Sequence, residues 1–289
     1  IEVIPVTGTL WAAVNGLLNE KKIKKAAFDG KRMTVAERDF LHEKLCVKLI
    51  PVNGVCETLR CTKSAQELDW IRMAQHITDD AFTYILTFIK SGMTEREIAA
   101  ELEYFIRKRG GTLAFDTICV FGKNSSLPHG VPSDTVIEGT GFLTMDFGAA
   151  YNGYCSDMTR TVVIGNPTQR MKDVYEVVRV AQQKALDGIK AGMTGAESDS
   201  ISREYIDSTD YRGLFTHSLG HSLGLEIHEE PRFSPSWKEP IEAGTVMSVE
   251  PGIYIPDDFG ARIEDIVIVT KDGCEVITAS PKEMIILNV

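Results

Sequence analysis

Apolar positions along this chain recur with two periods, and the switches between them mark its elements. "SAQE" at residues 64–67 is a capping box, in which the Ser64 hydroxyl takes an orphan helix N–H and Glu67 reaches back to another. The helix it opens carries Ile71, Ala74, Ile77, Ala81, Ile85 and Ile89 along one face. Before it the pattern changes quickly. "TGTLWAAVNGLLNEKK" has helical spacing through Leu10, Val14 and Leu17, "KKAAFDG" reads as a short strand, "TVAERDFLHEKL" as a helix and "CVKLIPV" as a strand. This βαβ-like alternation predicts a small parallel α/β unit over residues 1–62, with a boundary near Thr62 and a second domain over 63–289. The first unit is short for an independent domain and the sequence begins at Ile1, so the front of the protein is expected to be missing.

A repeat organises the rest. "IKSGMTEREIAAELEYFIRKRGG" begins at Ile89 and "IKAGMTGAESDSISREYIDSTDYRG" at Ile189, 100 residues later. Each reads as helix, glycine-terminated turn, capping box (Thr94/Glu97 and Thr194/Glu197) and second helix. The likeness continues more weakly where "VIEGTGFLTMDFGAAY" resembles "PIEAGTVMSVEPGIY", which sets Asp146 against Glu250. "MDFGAAYNGYCSDMTRT" (145–161) predicts two strands joined by a tight turn, with Asp146 and Asp157 at apolar positions. The next carboxylate after Glu250 is Glu264, so the separations are 11 and 14 residues, the longer one containing the turn "IPDDFGA". The fold expected is therefore α/β (α+β): a duplicated helix–helix–strand unit whose halves face each other and converge four carboxylates on a pseudo-twofold axis.

Composition narrows the function. The net charge is −10 and the longest basic cluster is "KKIKK", which disfavours nucleic acid and anionic membranes as partners. No apolar run approaches the ~20 residues of a membrane span. Six scattered cysteines without a C-x-x-C pair predict reduced thiols in a cytoplasmic protein.

Four converging carboxylates cannot all ionise without countercharge, and two divalent metals would supply it. The alternative, a salt bridge for each, lacks partners, because the strands themselves offer only Arg160 and Arg262. A nitrogen ligand is expected from a neighbouring strand, and "HSLGHSLGLEIHEEP" offers His217, His221 and His228. His217 and His221 share strand parity, whereas His228 has the opposite parity unless a bulge intervenes.

With these residues in view, the chain resembles the metallopeptidases of the "pita-bread" fold, which include aminopeptidase P, prolidase and methionine aminopeptidase. The matching stretches are "LPHGVPSD" (127–134), "MDFGAAYNGYCSDMTRT", "HSLGHSLGLEIHEEPR" (217–232), "VEPGIYIP" (249–256) and "ARIEDIVIVT" (261–270). Residues 1–62 are similar to the latter part of the N-terminal domain of aminopeptidase P and prolidase, which in that family also contributes to dimerisation. The resemblance implies metal ligands Asp146, Asp157, His221, Glu250 and Glu264. In it Asp157 and Glu264 bridge two metals, Asp146 binds one, and His221 with Glu250 binds the other. Mostly oxygen donors with one imidazole suit manganese(II), with cobalt(II) or zinc as alternatives.

The implied activity is hydrolysis of an Xaa-Pro bond in dipeptides or proline-containing peptides by a metal-activated water, in a full-length homodimer. Glu250 is implied as a proton shuttle, His129 and His228 as catalytic groups that stabilise the oxyanion, and His217 as a lining of the substrate pocket. Arg232 lies where some prolidases bind the substrate carboxylate; it equally reads as a solvated loop residue. Arg262 is implied to hold a ligand in place, and Trp237 in "PSW" to wall a proline pocket or simply lie at the surface. Ser222 stands where the family usually has Gly. A methionine aminopeptidase shares the ligands but generally lacks the preceding domain, and a metal-free binding module of this fold would have lost ligands that all stand here.

Overall fold

The structure is a computed structural model that describes residues 3–289. The chain divides into two compact units, residues 1–59 and 60–289. In the first, α1 (Leu10–Glu20) is capped by Thr9, β1 (Lys25–Asp29) pairs in parallel with β2 (Lys48–Val52), and α2 (Val35–Lys44) connects them. Thr34 and Glu37 form a capping box on α2, and Trp11 meets Phe40 edge-on at 5.7 Å. These are the four elements that the alternating pattern predicts. A short helix, α3 (Val55–Cys61), follows and was not anticipated.

The second unit opens with α4 (Ala65–Phe88), whose capping box is Ser64/Glu67 and whose predicted stripe from Ile71 to Ile89 is buried throughout. Then come α5 (Glu95–Lys108), β3 (Thr112–Leu113), β4 (Ile118–Phe121), a 3₁₀ turn over Gly122–Ser126, β5 (Gly141–Phe147), β6 (Ala149–Tyr151), β7 (Tyr154–Cys155) and β8 (Met158–Ile164). The second half repeats the scheme with α6 (Gln169–Gly188), α7 (Gly195–Asp207), β9 (Gly220–Ser222), β10 (Glu229–Phe233), β11 (Val246–Val249), β12 (Gly252–Ile255), β13 (Phe259–Arg262), β14 (Asp265–Val269), β15 (Cys274–Val276) and β16 (Ile286–Leu287).

The duplication is physical as well as textual. Gly92 and Gly192 lie in the turns that follow α4 and α6, at φ +87° and +89°, a region that favours a residue without Cβ. Gly92 N donates to Ile137 O (3.1 Å) and Ile137 N to Met93 O (2.7 Å); Gly192 N donates to Ile241 O and Ile241 N to Met193 O, both at 2.8 Å. The same pair of bonds thus ties each turn to the segment that leads into the carboxylate-bearing hairpin. Thr94 and Thr194 both build the predicted capping boxes.

Two main sheets result, ordered β16-β8-β5-β4 and β10-β9-β11-β14-β15. One apolar cluster fills the space beneath α4 and α5, and another that beneath α6 and α7. The halves meet along β8 and the residues before β14, where Glu264 N donates to Thr159 O (3.1 Å), Arg262 N to Thr161 Oγ1 (3.1 Å) and the Thr161 hydroxyl to Arg262 O (2.9 Å). This seam brings the two hairpins together.

Candidate metal centre

Strand register fixes where the carboxylates stand. Asp146 is the penultimate residue of β5, opposite Thr159 of β8, and Asp157 immediately precedes β8. Glu250 immediately follows β11 and Glu264 immediately precedes β14; the two strands pair through Val249 and Asp265. Each hairpin therefore delivers one carboxylate at the end of its leading strand and one at the start of its returning strand. All four line one cavity of about 400 Å³. His221, in the middle of β9, reaches it through the pairing of β9 with β11.

Asp157, His221 and Glu264 present one donor atom each within 4.8 Å of one another. His221 Nε2 lies 3.6 Å from Asp157 Oδ2 and 3.4 Å from Glu250 Oε1. Its Nδ1 is 3.1 Å from Ser222 O, an acceptor that fixes the proton there and leaves Nε2 with a lone pair facing the carboxylates. Burial, with His228 beside it, pushes the His221 imidazole down to about 3, so it is neutral and a competent ligand.

The carboxylates are undercompensated. Arg262 Nη2 bonds Asp146 Oδ2 at 2.6 Å, but Arg160 pairs with Asp265, leaving no Lys or Arg bridge for Asp157, Glu250 or Glu264 among the described residues. Burial, then Glu264 and Asp146, push the Asp157 carboxyl well above its usual range; burial, then Glu250 and Asp146, do the same to Glu264. Glu250 is raised to about 7, chiefly by burial. One oxygen each of Asp146, Asp157 and Glu264 is buried without a hydrogen-bond partner. Orphaned anionic oxygens aimed into a shared cavity, with a neutral imidazole among them, fit divalent metal ions.

Arg262 and Thr159 carry supporting contacts between the halves. Arg262 also donates from Nε to Thr159 Oγ1 (2.9 Å), from Nη1 to Tyr254 OH (2.7 Å) and from Nη1 to Pro128 O (3.2 Å). Thr159 Oγ1 donates to Glu264 Oε2 at 2.7 Å, and Ser248 Oγ donates to Glu250 Oε1 at 3.0 Å. Because Arg262 can only donate, Tyr254 accepts from it and gives its own proton to His217 Nε2 (2.9 Å), while His217 Nδ1 donates to Ser218 O (2.9 Å). The sequence alone gives Tyr254, Thr159 and Ser248 no role, and nothing local to Tyr254 signals a bond to residue 262.

His129, His217, His228 and Arg232 line the same cavity, together with Phe115, Ile118 and Ile227 as its apolar wall. His217 does not get there by strand parity, since β9 begins only at Gly220 and His217 lies in the preceding loop. His228 likewise lies outside β9 and β10, and its ring sits 4.4 Å from that of His221. The pairing of β10 with β9 shifts register between Glu229 and Arg232, and this bulge sets Arg232 directly opposite His221. Arg232 is exposed to the cavity and has no ion pair among the described residues. Trp237 does not line the cavity; it packs beside Gly195 on the α6–α7 cluster. Ser222 turns its hydroxyl away, to Lys63 Nζ at 3.2 Å, and Lys63 in turn holds Glu229 at 3.1 Å.

Residues 69–271 match the metallopeptidase family M24. The chain is 43% identical over 235 residues to a protein named Xaa-Pro dipeptidase from Pyrococcus furiosus, covering 81% of this chain and 68% of that one. A solved Xaa-Pro dipeptidase from Bacillus anthracis superposes with a TM-score of 0.95 at 44% identity, covering 98% of this chain and 80% of that chain. A solved X-Pro aminopeptidase from Thermotoga maritima superposes with a TM-score of 0.93 at 39% identity, covering 97% and 80%.

Proposed function

The chain belongs to metallopeptidase family M24, a metal-dependent peptide hydrolase of the pita-bread fold, and from that premise we propose that it cleaves Xaa-Pro dipeptides. One observation carries the choice of substrate: the guanidinium of Arg232, with no ion pair among the described residues, opens into the same cavity as the candidate ligands and stands opposite His221 in the β9–β10 register. A free carboxylate following the proline would neutralise it bidentately.

Asp146, Asp157, His221, Glu250 and Glu264 would hold two divalent ions, manganese(II) by the preponderance of oxygen donors. When bound, such ions activate a water and polarise the scissile carbonyl. Glu250, its carboxyl raised to about 7, would move a proton from the attacking water to the leaving imide nitrogen, which has none of its own. His129 and His228 donate to the oxygen that becomes negative, and His217, fixed by Tyr254, borders the bound peptide. Residues 1–62 form an accessory α/β domain and 63–289 the catalytic domain. The six free thiols accord with a cytoplasmic site of action, and a homodimer is the assembly that the resemblance supports. Among the described residues no helix is long and apolar enough to cross a membrane.

The test is to compare kcat/KM for Xaa-Pro, Xaa-Pro-Yaa and Met-Ala-Yaa peptides on manganese-loaded protein. The proposal expects the dipeptide to be cut fastest. Equal or faster cleavage of Xaa-Pro-Yaa would make the protein an aminopeptidase of the same family, and a preference for Met-Ala-Yaa would overturn the proline assignment.

A further inference from the structure

Glu95 is the first residue of α5, and its side chain is fully buried. Its two oxygens serve different ends of one loop. Oε1 accepts from Phe121 N (2.6 Å) and Asn124 Nδ2 (3.0 Å), while Oε2 accepts from Ser133 N (2.9 Å) and Ser133 Oγ (2.6 Å). The loop between these anchors, residues 121–133, carries His129 near its middle. The backbone of α5 adds to the hold, with Arg96 N donating to Ser133 O at 3.1 Å. At its tip, Arg262 Nη1 reaches Pro128 O at 3.2 Å, one residue before the imidazole.

The other half of the duplication uses the same place differently. The residue matching Glu95 in α7 is Gly195, and a Cβ there would fall 2.0 Å from Arg232 O. So the start of each duplicated second helix braces a segment that carries a residue of the cavity. One does so by the absence of a side chain beneath Arg232, and the other by a carboxylate that ties together the ends of the His129 loop.

We propose that Glu95 is a positioning residue for His129: its buried carboxylate clamps both ends of the 121–133 loop and so holds the imidazole at the cavity. The inference rests on the reading of His129 as a group that touches the substrate. A carboxylate can serve four donors at two oxygens, but Gln cannot, because its amide N–H₂ would face donors at one end of the loop. Glu95→Gln therefore releases one end while keeping side-chain volume, and Ser133→Ala removes a single donor as a milder version of the same change.

The experiment is a double-mutant cycle with His129→Ala, read on manganese-loaded protein, together with amide hydrogen exchange. Glu95→Gln should lower kcat about 10-fold, in keeping with the sensitivity of catalysis to misplacements near 1 Å, with metal content and melting cooperativity retained. In the His129→Ala background the same change should cost no further activity, and Ser133→Ala should follow this pattern with a smaller factor. Exchange should quicken across 122–134 in both variants and stay unchanged in α4 and α6. Equal factors in the two backgrounds, or unchanged exchange in the loop, would overturn the clamp while leaving the assignment of His129 intact. Wild-type activity in His129→Ala would overturn that assignment and the inference with it.

Discussion

Replacing Arg262 by Met tests the metal assignment through stability rather than through turnover. Arg262 is 3% exposed, and its guanidinium spends its donors on Asp146, Tyr254, Thr159 and Pro128. Removing it strands the Asp146 carboxylate, already carrying one orphaned oxygen, beside three other carboxylates. Breaking a buried pair from one side costs about 3–5 kcal/mol. For a unit of this size, that is a fall in Tm of roughly 6–20 °C in protein stripped of metal by a chelator. Bound dications would counter the Asp146 charge, leaving mainly the lost hydrogen bonds, so the penalty should shrink by a third or more with manganese(II) present. Reciprocity then requires the folded variant to bind metal more tightly than wild type by the same difference. The physical reason is simple: a buried cation that repels the dications has gone. Thermal melts of both proteins, with chelator and with manganese(II), supply all four corners. An identical loss in both conditions would refute the placing of Asp146 among the ligands.

Three further outcomes are expected. Asp157→Asn and Glu264→Gln should each abolish binding of both ions as read by elemental analysis, and full occupancy in either would end the bridging assignment. His221→Ala should lower metal content, whereas His129→Ala and His228→Ala should keep it and lose about 10²–10³ in kcat, the scale of an oxyanion donor. Arg232→Ala should weaken kcat/KM for Xaa-Pro by about 2–3 kcal/mol and spare Xaa-Pro-Yaa, the scale of a hydrogen bond to a charged group; equal losses on the two substrates would rule out a carboxylate clamp.

The elements that the sequence made legible are those whose local signals and burial agree. Ser64/Glu67, Thr94/Glu97 and Thr194/Glu197 announce helix starts because the capping chemistry is confined to four residues. The 100-residue offset survives in three dimensions because the glycine turns at 92 and 192 make the same backbone bonds to Ile137 and Ile241. The hairpins differ as their spacing implies: Asn152 and Gly153, both at positive φ, close the first tightly, and the second extends through β12 and β13 to a turn at Asp257. The helix α3 went unread because it is seven residues long and has no buried face to impose a period.

The site divides along the same line. Asp146, Asp157, Glu250 and Glu264 are legible because each sits where a repeated strand begins or ends, so that register alone carries them to the seam. The residues that touch substrate in the proposed reading come from segments the duplication does not share. His217 and His228 flank β9 in irregular backbone, Arg232 follows a bulge, and His129 rides a loop held from a helix 34 residues earlier in the chain. Strand parity cannot locate such groups, since parity has no meaning outside a ladder. Their positions depend instead on buried polar contacts between distant residues: Glu95 to Ser133, Arg262 to Pro128, Tyr254 to His217. Repetition in the fold therefore accounts for the shared chemistry of the four carboxylates. In the proposed reading, what distinguishes one substrate from another lies in the parts where the two halves have stopped resembling each other, and the contrast between Glu95 and Gly195 at matching helix starts is one such difference beside a cavity-lining segment.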